Sequence, residues 1–305
     1  MSRQSIVGLA PTFSNYCPPG NCFRFYNALY LCKGKLGEGD FSTAYRFDTT
    51  TPNCLAPASI VLKIAHADDE RPNFVTEANW NKIFYGFGYT PHFQPATAKP
   101  IMIMRFFEGT VLSAVQPSSM TELVKVFIAL LVEFNRIHNQ LRAVHGDVKP
   151  PNVIYNPETG ICQTIDLALP AEIGKVIYPY SFPLIEQQNT KTRSIEAEYG
   201  HIAPELTKGE NTPAHPNQDM YGIGYIFNFM LRELRGRITI PDCQCNIILR
   251  MIQSMRSRIP EARMSVVVAR DELHVGFFSP ILMSPRFPDS QTDDAARREA
   301  ARIAV

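Results

Sequence analysis

Val144-His145-Gly146-Asp147-Val148-Lys149-Pro150-Pro151-Asn152 is the stretch on which the reading of this chain turns, and Ile165-Asp166-Leu167-Ala168 follows it. Upstream, Ser119-Met120-Thr121-Glu122 has the spacing of a capping box, which predicts a helix start. Leu123, Val126, Phe127, Leu130, Leu131, Phe134 and Ile137 then recur at helical spacing and form one apolar stripe. Downstream of Asp147 come short strands, a long irregular stretch over Pro170–Glu205, and helices over Tyr221–Leu234 and Cys245–Arg256. Toward the amino end the pattern changes to strands. Ala28–Cys32, Thr43–Phe47, Ser59–Ile64 and Pro100–Phe107 read as strands, with one helix over Asn73–Phe84. Strands first and helices later predict an α+β chain of two unequal lobes.

The bulk composition narrows the classes. At 305 residues there is ample chain for a buried core, and 45% hydrophobic with 19% charged residues is ordinary for a globular protein. A net charge of +1 gives no nucleic-acid footprint and no strong pull toward a membrane surface. Seven cysteines at irregular spacing form neither a zinc pattern nor a C-x-x-C pair, so reduced thiols are expected. The opening residues lack an apolar signal region, and the longest apolar run, Val126–Val132, is too short to span a bilayer. A soluble intracellular protein, cytoplasmic or nuclear, is the expectation, without nucleic-acid or membrane partners and monomeric.

Two further places draw attention. Leu36-Gly37-Glu38-Gly39-Asp40-Phe41-Ser42 lies between two strand candidates. Glycines there let a backbone approach a polyphosphate and present N–H groups to its oxygens, although a plain hairpin turn uses the same residues. Lys63 lies inside the apolar strand, between Leu62 and Ile64, and so points away from their face. It is either a solvated strand residue or, with Glu77 on the following helix, half of an ion pair.

His145, Asp147, Lys149, Pro150 and Asn152 match the H-R-D-x-K-P-x-N pattern, and the chain resembles the eukaryotic-type serine/threonine protein kinases, as a divergent member. The likeness runs in order from about residue 30 to 270. Ala203-Pro204-Glu205 resembles A-P-E, Asp219 to Gly224 the aspartate-led helix, and Pro260 to Ser265 the late P-x-x-R-x-S motif. The resemblance implies a bilobal kinase domain over residues 26–275, with a small, mainly antiparallel β lobe to about 107 and a larger helical lobe from about 108. An irregular leader, 1–25, and a polar tail, 276–305, flank it. It implies ATP and Mg²⁺ (or Mn²⁺) as cofactors and protein substrates with serine or threonine acceptors. Asp147 becomes the catalytic base and Lys149 the group that neutralises the transferring phosphoryl, with Asn152 and Asp166 as metal ligands. Leu36, Gly37, Glu38, Gly39, Asp40, Phe41, Ser42, Ala44, Lys63, Glu77, Met104, Arg105 and Phe107 line the nucleotide site. Met104 backs the adenine pocket, and Arg105 to Phe107 offer backbone hydrogen bonds to the base. Arg263 is expected to pair with Glu205, while His138 has a structural role.

The departures matter as much. Ser42 replaces the third glycine of the phosphate loop, Gly146 the arginine of H-R-D, and Ala168 the glycine of D-F-G. The loss of that arginine implies activity without phosphorylation at Thr190, Thr192 or Ser194. Glu198 falls where the family has a threonine beside the substrate backbone, and Pro151 gives no support for an arginine-directed preference. Two rivals stay open. His145-Gly146-Asp147 with Ile165-Asp166 also resembles aminoglycoside and choline kinases, which would make small hydroxyl compounds the acceptors; a pseudokinase scaffold is the other. The pattern is further reminiscent of divergent viral kinases, including those of large DNA viruses, which would place the protein in a host cell.

Overall fold

The computed structural model describes residues 20–25, 28–51, 57–67, 71–90, 99–177, 199–207 and 212–278. Thr190, Thr192, Ser194 and Glu198, with most of the leader and tail, lie outside them. The fold is α+β. Strands β1 (Cys22–Phe25), β2 (Ala28–Glu38), β3 (Ser42–Thr49), β4 (Ser59–Ala65), β5 (Gly88–Tyr89) and β6 (Ile101–Arg105) form one antiparallel sheet in the order β1-β2-β3-β4-β6-β5. The last four residues of the expected irregular leader are therefore a strand, because Phe25 alternates inward to meet Tyr30, Phe87 and Tyr89.

Both faces of this sheet are covered. Phe25, Tyr30, Tyr45, Phe47, Ile60, Leu62, Ile64, Ile101 and Ile103 form one buried layer. Val61, Ala65, Met102 and Met104 face the other way, onto Phe74 and Ala78 of α1 (Arg71–Tyr85). Residues of β4 alternate between the two layers, so Lys63 shares the α1 side with Val61 and Ala65.

The second core is helical. α2 (Met120–Asn135) starts on Ser119, whose side chain accepts from Glu122 N at 3.2 Å. Only half of the expected capping box forms, because the Glu122 carboxylate takes the N–H and hydroxyl of Ser118 instead. Every member of the predicted stripe is buried, with Ile137 on a wider π-type turn over Arg136–Gln140. Phe127 stacks face to face on Phe227 of α3 (Pro216–Arg235), their rings 3.6 Å apart. α4 (Asp242–Met255) and α5 (Val266–Phe278) complete this body. α5 continues through Phe278.

Short strands accompany the helical core. β7 (Thr110–Val111), β9 (Val153–Asn156) and β10 (Ile161–Thr164) make a small antiparallel sheet. β8 (Ala143–Val144) pairs with β11 (Ala171–Glu172), and β12 (Val176–Ile177) with β13 (Thr212–Pro213), so the described part of the stretch expected to be irregular carries two strands. Among the described residues no helix is long and apolar enough to cross a membrane, and the five described cysteines are free thiols.

Candidate functional site

The loop after β8 is fixed from beneath by α3. Asp219, fully buried, accepts His145 N at 2.8 Å, Gly146 N at 3.0 Å and His138 Nε2 at 2.9 Å. His138 is thus part of the scaffold, as expected. Gly146 has φ +82°, and a Cβ there would come within 2.6 Å of the Leu169 carbonyl oxygen. Glycine is required at this position for conformation and for space. Gly222 lets α3 approach just as closely, since a Cβ there would meet Val148 Cβ at 2.6 Å. Below α3, Arg263 makes two parallel bonds to Glu205, at 2.6 and 2.8 Å, and donates to Asn217 O. The expected pair is present.

Asp147 is nine-tenths buried and surrounded by donors. Lys149 Nζ lies 2.7 Å and Asn152 Nδ2 2.8 Å from its Oδ2, and His201 Nε2 lies 2.9 Å from its Oδ1. Burial alone would raise its pKa; the His201 hydrogen bond and the Lys149 charge more than reverse this and hold the carboxylate well below its ordinary range. His145 orients the loop through both ring nitrogens. Its Nδ1 accepts from Asp147 N at 3.3 Å and its Nε2 donates to Ile165 O at 3.1 Å, which assigns the neutral tautomer.

Ile165 also donates to the Asn152 carbonyl at 2.8 Å, setting Asp166 directly beside the loop. Asp166 adopts φ +62°, a left-handed conformation that aspartate tolerates better than most side chains. The left-handed residue of this segment is therefore Asp166, and Ala168 needs no glycine freedom.

Lys63 is not a solvated strand residue. It points away from Leu62 and Ile64, as alternation predicts, but α1 covers that side. Its Nζ reaches both oxygens of Glu77, at 2.9 and 2.8 Å, and Asp166 Oδ1 at 3.3 Å, 103 residues away in sequence. Burial works against the ammonium, and the two carboxylates outweigh it, so the lysine pKa stands above its ordinary value. Ala44 and Met102 flank Lys63 in register on β3 and β6, and Met104 is buried on the same face.

The other expected residues lie along β2, β3 and β6 and the chain that follows β6. Arg105 is exposed at the end of β6; the Phe106 N–H is already donated to Ser59 O at 3.4 Å, and the Phe107 ring is buried against Tyr85. Leu36, Gly37 and Glu38 end β2, Ser42 starts β3, and Gly39-Asp40-Phe41 turn between them with Gly39 N on Ser42 O. Neither Gly37 nor Gly39 has a positive φ, and a Cβ on either would meet nothing within 4 Å. His66 pins this hairpin. Its backbone N–H donates to Phe41 O, its Nδ1 to Asp40 O, and its Nε2 lies 3.0 Å from the Thr43 hydroxyl. These contacts tie the hairpin to its own sheet rather than to the Asp147 cluster.

Asn152 Oδ1 and the Asp166 carboxylate are the oxygen groups here that could hold a hard cation. The side-chain nitrogen of Asn152 donates to Asp147 O and Oδ2, and the Asp166 carboxylate is partly exposed on the adjoining backbone. No group of three or more His, Cys, Asp or Glu residues capable of holding a metal occurs among the described residues.

Two contributors escaped the reading of the sequence, His201 and His66. His201 stands two residues before Ala203, next to a recognised motif, and this adjacency was its one signal. His66 gave none, since its partners are backbone carbonyls and one hydroxyl. A scan against protein-family models finds no match for the chain, and a search of curated proteins finds none either.

Proposed function

We propose that this chain is an ATP-dependent serine/threonine protein kinase whose two cores correspond to the two lobes of that fold. The convergence of Lys63, Glu77 and Asp166 beside the Asp147 loop is the observation that carries this reading. A lysine made cationic by two carboxylates has little structural purpose in a sheet face, yet it is what a triphosphate tail needs.

In this reading Lys63 binds the α- and β-phosphates, and Glu77 keeps its ammonium aimed. The hairpin of residues 36–42 covers the phosphates with backbone N–H groups. Ala44 and Met104 offer apolar contact to the base, with Arg105 and Phe107 on the connecting segment. Asn152 and Asp166 would hold Mg²⁺ (or Mn²⁺), which when bound neutralises charge on the phosphate oxygens. Asp147 orients the acceptor hydroxyl and takes its proton as the γ-phosphoryl moves to the oxygen. Because its carboxylate is a weak base here, orientation comes first and the proton follows late, which suits a loose transition state. Lys149, whose Nζ lies 2.7 Å from Asp147 Oδ2, offsets charge on the transferring group.

The test is transfer of labelled phosphate from ATP, with Mg²⁺, to a generic protein acceptor. Asp147→Ala should lower the rate by about 10²–10⁴-fold. Transfer confined to small hydroxyl compounds would move the chain to the aminoglycoside- and choline-kinase group. No turnover with any acceptor would make it a scaffold.

A further inference from the structure

The two oxygens of Asp147 are served from different parts of the chain. Lys149 and Asn152 hold Oδ2 from within the same loop. Oδ1 is held at 2.9 Å by His201, 54 residues downstream and itself buried. A carboxylate kept ionised by an ammonium at 2.7 Å can only accept a hydrogen bond, so the proton of this contact resides on His201 Nε2.

His201 is anchored away from Asp147 as well. Its ring meets Tyr225 of α3 edge-on, with centroids 5.9 Å apart. The preceding carbonyl, Gly200 O, accepts from Arg256 at the end of α4 at 3.1 Å. The Arg256 guanidinium lies over the rings of Tyr221 and Tyr225, at 5.0 and 5.7 Å. Two helices thus fix the imidazole that faces the carboxylate.

Resting on the kinase reading of the site, we propose that His201 is a positioning residue, its Nε2–H locking the plane of the Asp147 carboxylate so that a lone pair faces the acceptor hydroxyl. Lys149 and Asn152 both act on Oδ2, and a donor on Oδ1 opposes rotation of the carboxylate about its last torsion. Misplacement of a reacting group by about 1 Å can cost on the order of 10²-fold in rate.

The measurement is steady-state phosphotransfer by wild type, His201→Ala, His201→Phe and His201→Gln, alongside thermal unfolding of each. The amide N–H of glutamine can reach where Nε2–H does; phenylalanine fills the space without a donor. Alanine and phenylalanine should lower kcat by about 10–100-fold with KM for ATP nearly unchanged, and glutamine should recover most of that loss. A phenylalanine variant as active as wild type overturns the proposal. So does an equal loss in all three variants, or a loss that appears in KM for ATP alone. If wild type transfers no phosphate in an Asp147-dependent way, the kinase reading itself fails and the role goes with it; an active wild type with an active His201→Phe removes the role alone.

Discussion

The hairpin at residues 36–42 and the loop at residues 145–152 both depend on glycine, for opposite reasons. In the loop, glycine is dictated by the protein: Gly146 has φ +82° and no room for a Cβ. In the hairpin, neither Gly37 nor Gly39 has a positive φ, and both have open space around them. The loop is buried and satisfied by its own chain, with Asp219, His145 and His201 each occupying a defined atom. The hairpin carries exposed Leu36 and Phe41 and is tied down chiefly by His66. One region is shaped by the fold beneath it. The other keeps glycines that neither a left-handed backbone nor a close contact requires, and a nucleotide phosphate tail is the occupant proposed above.

Removing the support beneath the loop should have the largest effect. Arg263 is fully buried at its side chain and bonds to Glu205, Asn217 O and Ser257 O, tying α3 to the segment before it. Arg263→Ala leaves the Glu205 carboxylate without its main partner and should cost about 3–5 kcal/mol in chemical unfolding. Replacing both partners together should cost less than the sum of the single changes. Additive losses would mean that the pair does not act as a unit, and that the loop draws its rigidity from elsewhere.

How much of this was legible in advance depended on whether a residue's partner lay in a recognisable motif. Arg263 and Glu205 could be matched because both stand in motifs of the resemblance. Lys63 was half legible: strand alternation gave its direction and Glu77 stood as one possible partner, but the choice against a solvated lysine is made only once Phe74 and Ala78 of α1 dock on Met102 and Met104. Glu122 was misassigned because the spacing of a capping box says nothing of Ser118, one residue earlier, which offers two donors to the same carboxylate. β1 was hidden by its Pro- and Gly-rich surroundings, and only pairing with β2 makes it a strand. His201 was out of reach because its contact to Asp147 is long-range, and no local pattern predicts which buried donor meets which oxygen.

Gly146→Ala tests the loop side of the comparison more gently. The left-handed backbone and the 2.6 Å approach to Leu169 O should together cost about 1–3 kcal/mol, and the displaced loop should lower phosphotransfer as well. A variant as stable as wild type would show that the loop can relax away from Leu169, and would break the claim that glycine is obligatory there.

The smallest change in stability, and the most telling, is expected at Gly37. It lies within β2 opposite Ala44, without a positive φ, and a new methyl would touch no atom of the chain. Alanine also has less conformational freedom to lose on folding, so Gly37→Ala should be neutral or stabilise the protein by up to about 1 kcal/mol. Its cost should appear only with ligand, as a higher KM for ATP, because the methyl intrudes where a phosphate must come close to the backbone. Thermal unfolding with and without ATP and Mg²⁺ separates the two contributions. A variant that is more stable alone, yet gains less from nucleotide than wild type does, would establish that this glycine is kept for the ligand. One that loses stability without ligand would put Gly37 in the same class as Gly146 and erase the difference between the regions. One that gains from nucleotide as much as wild type would leave the hairpin with no phosphate to cover, and the glycines would then have to be explained by the turn alone.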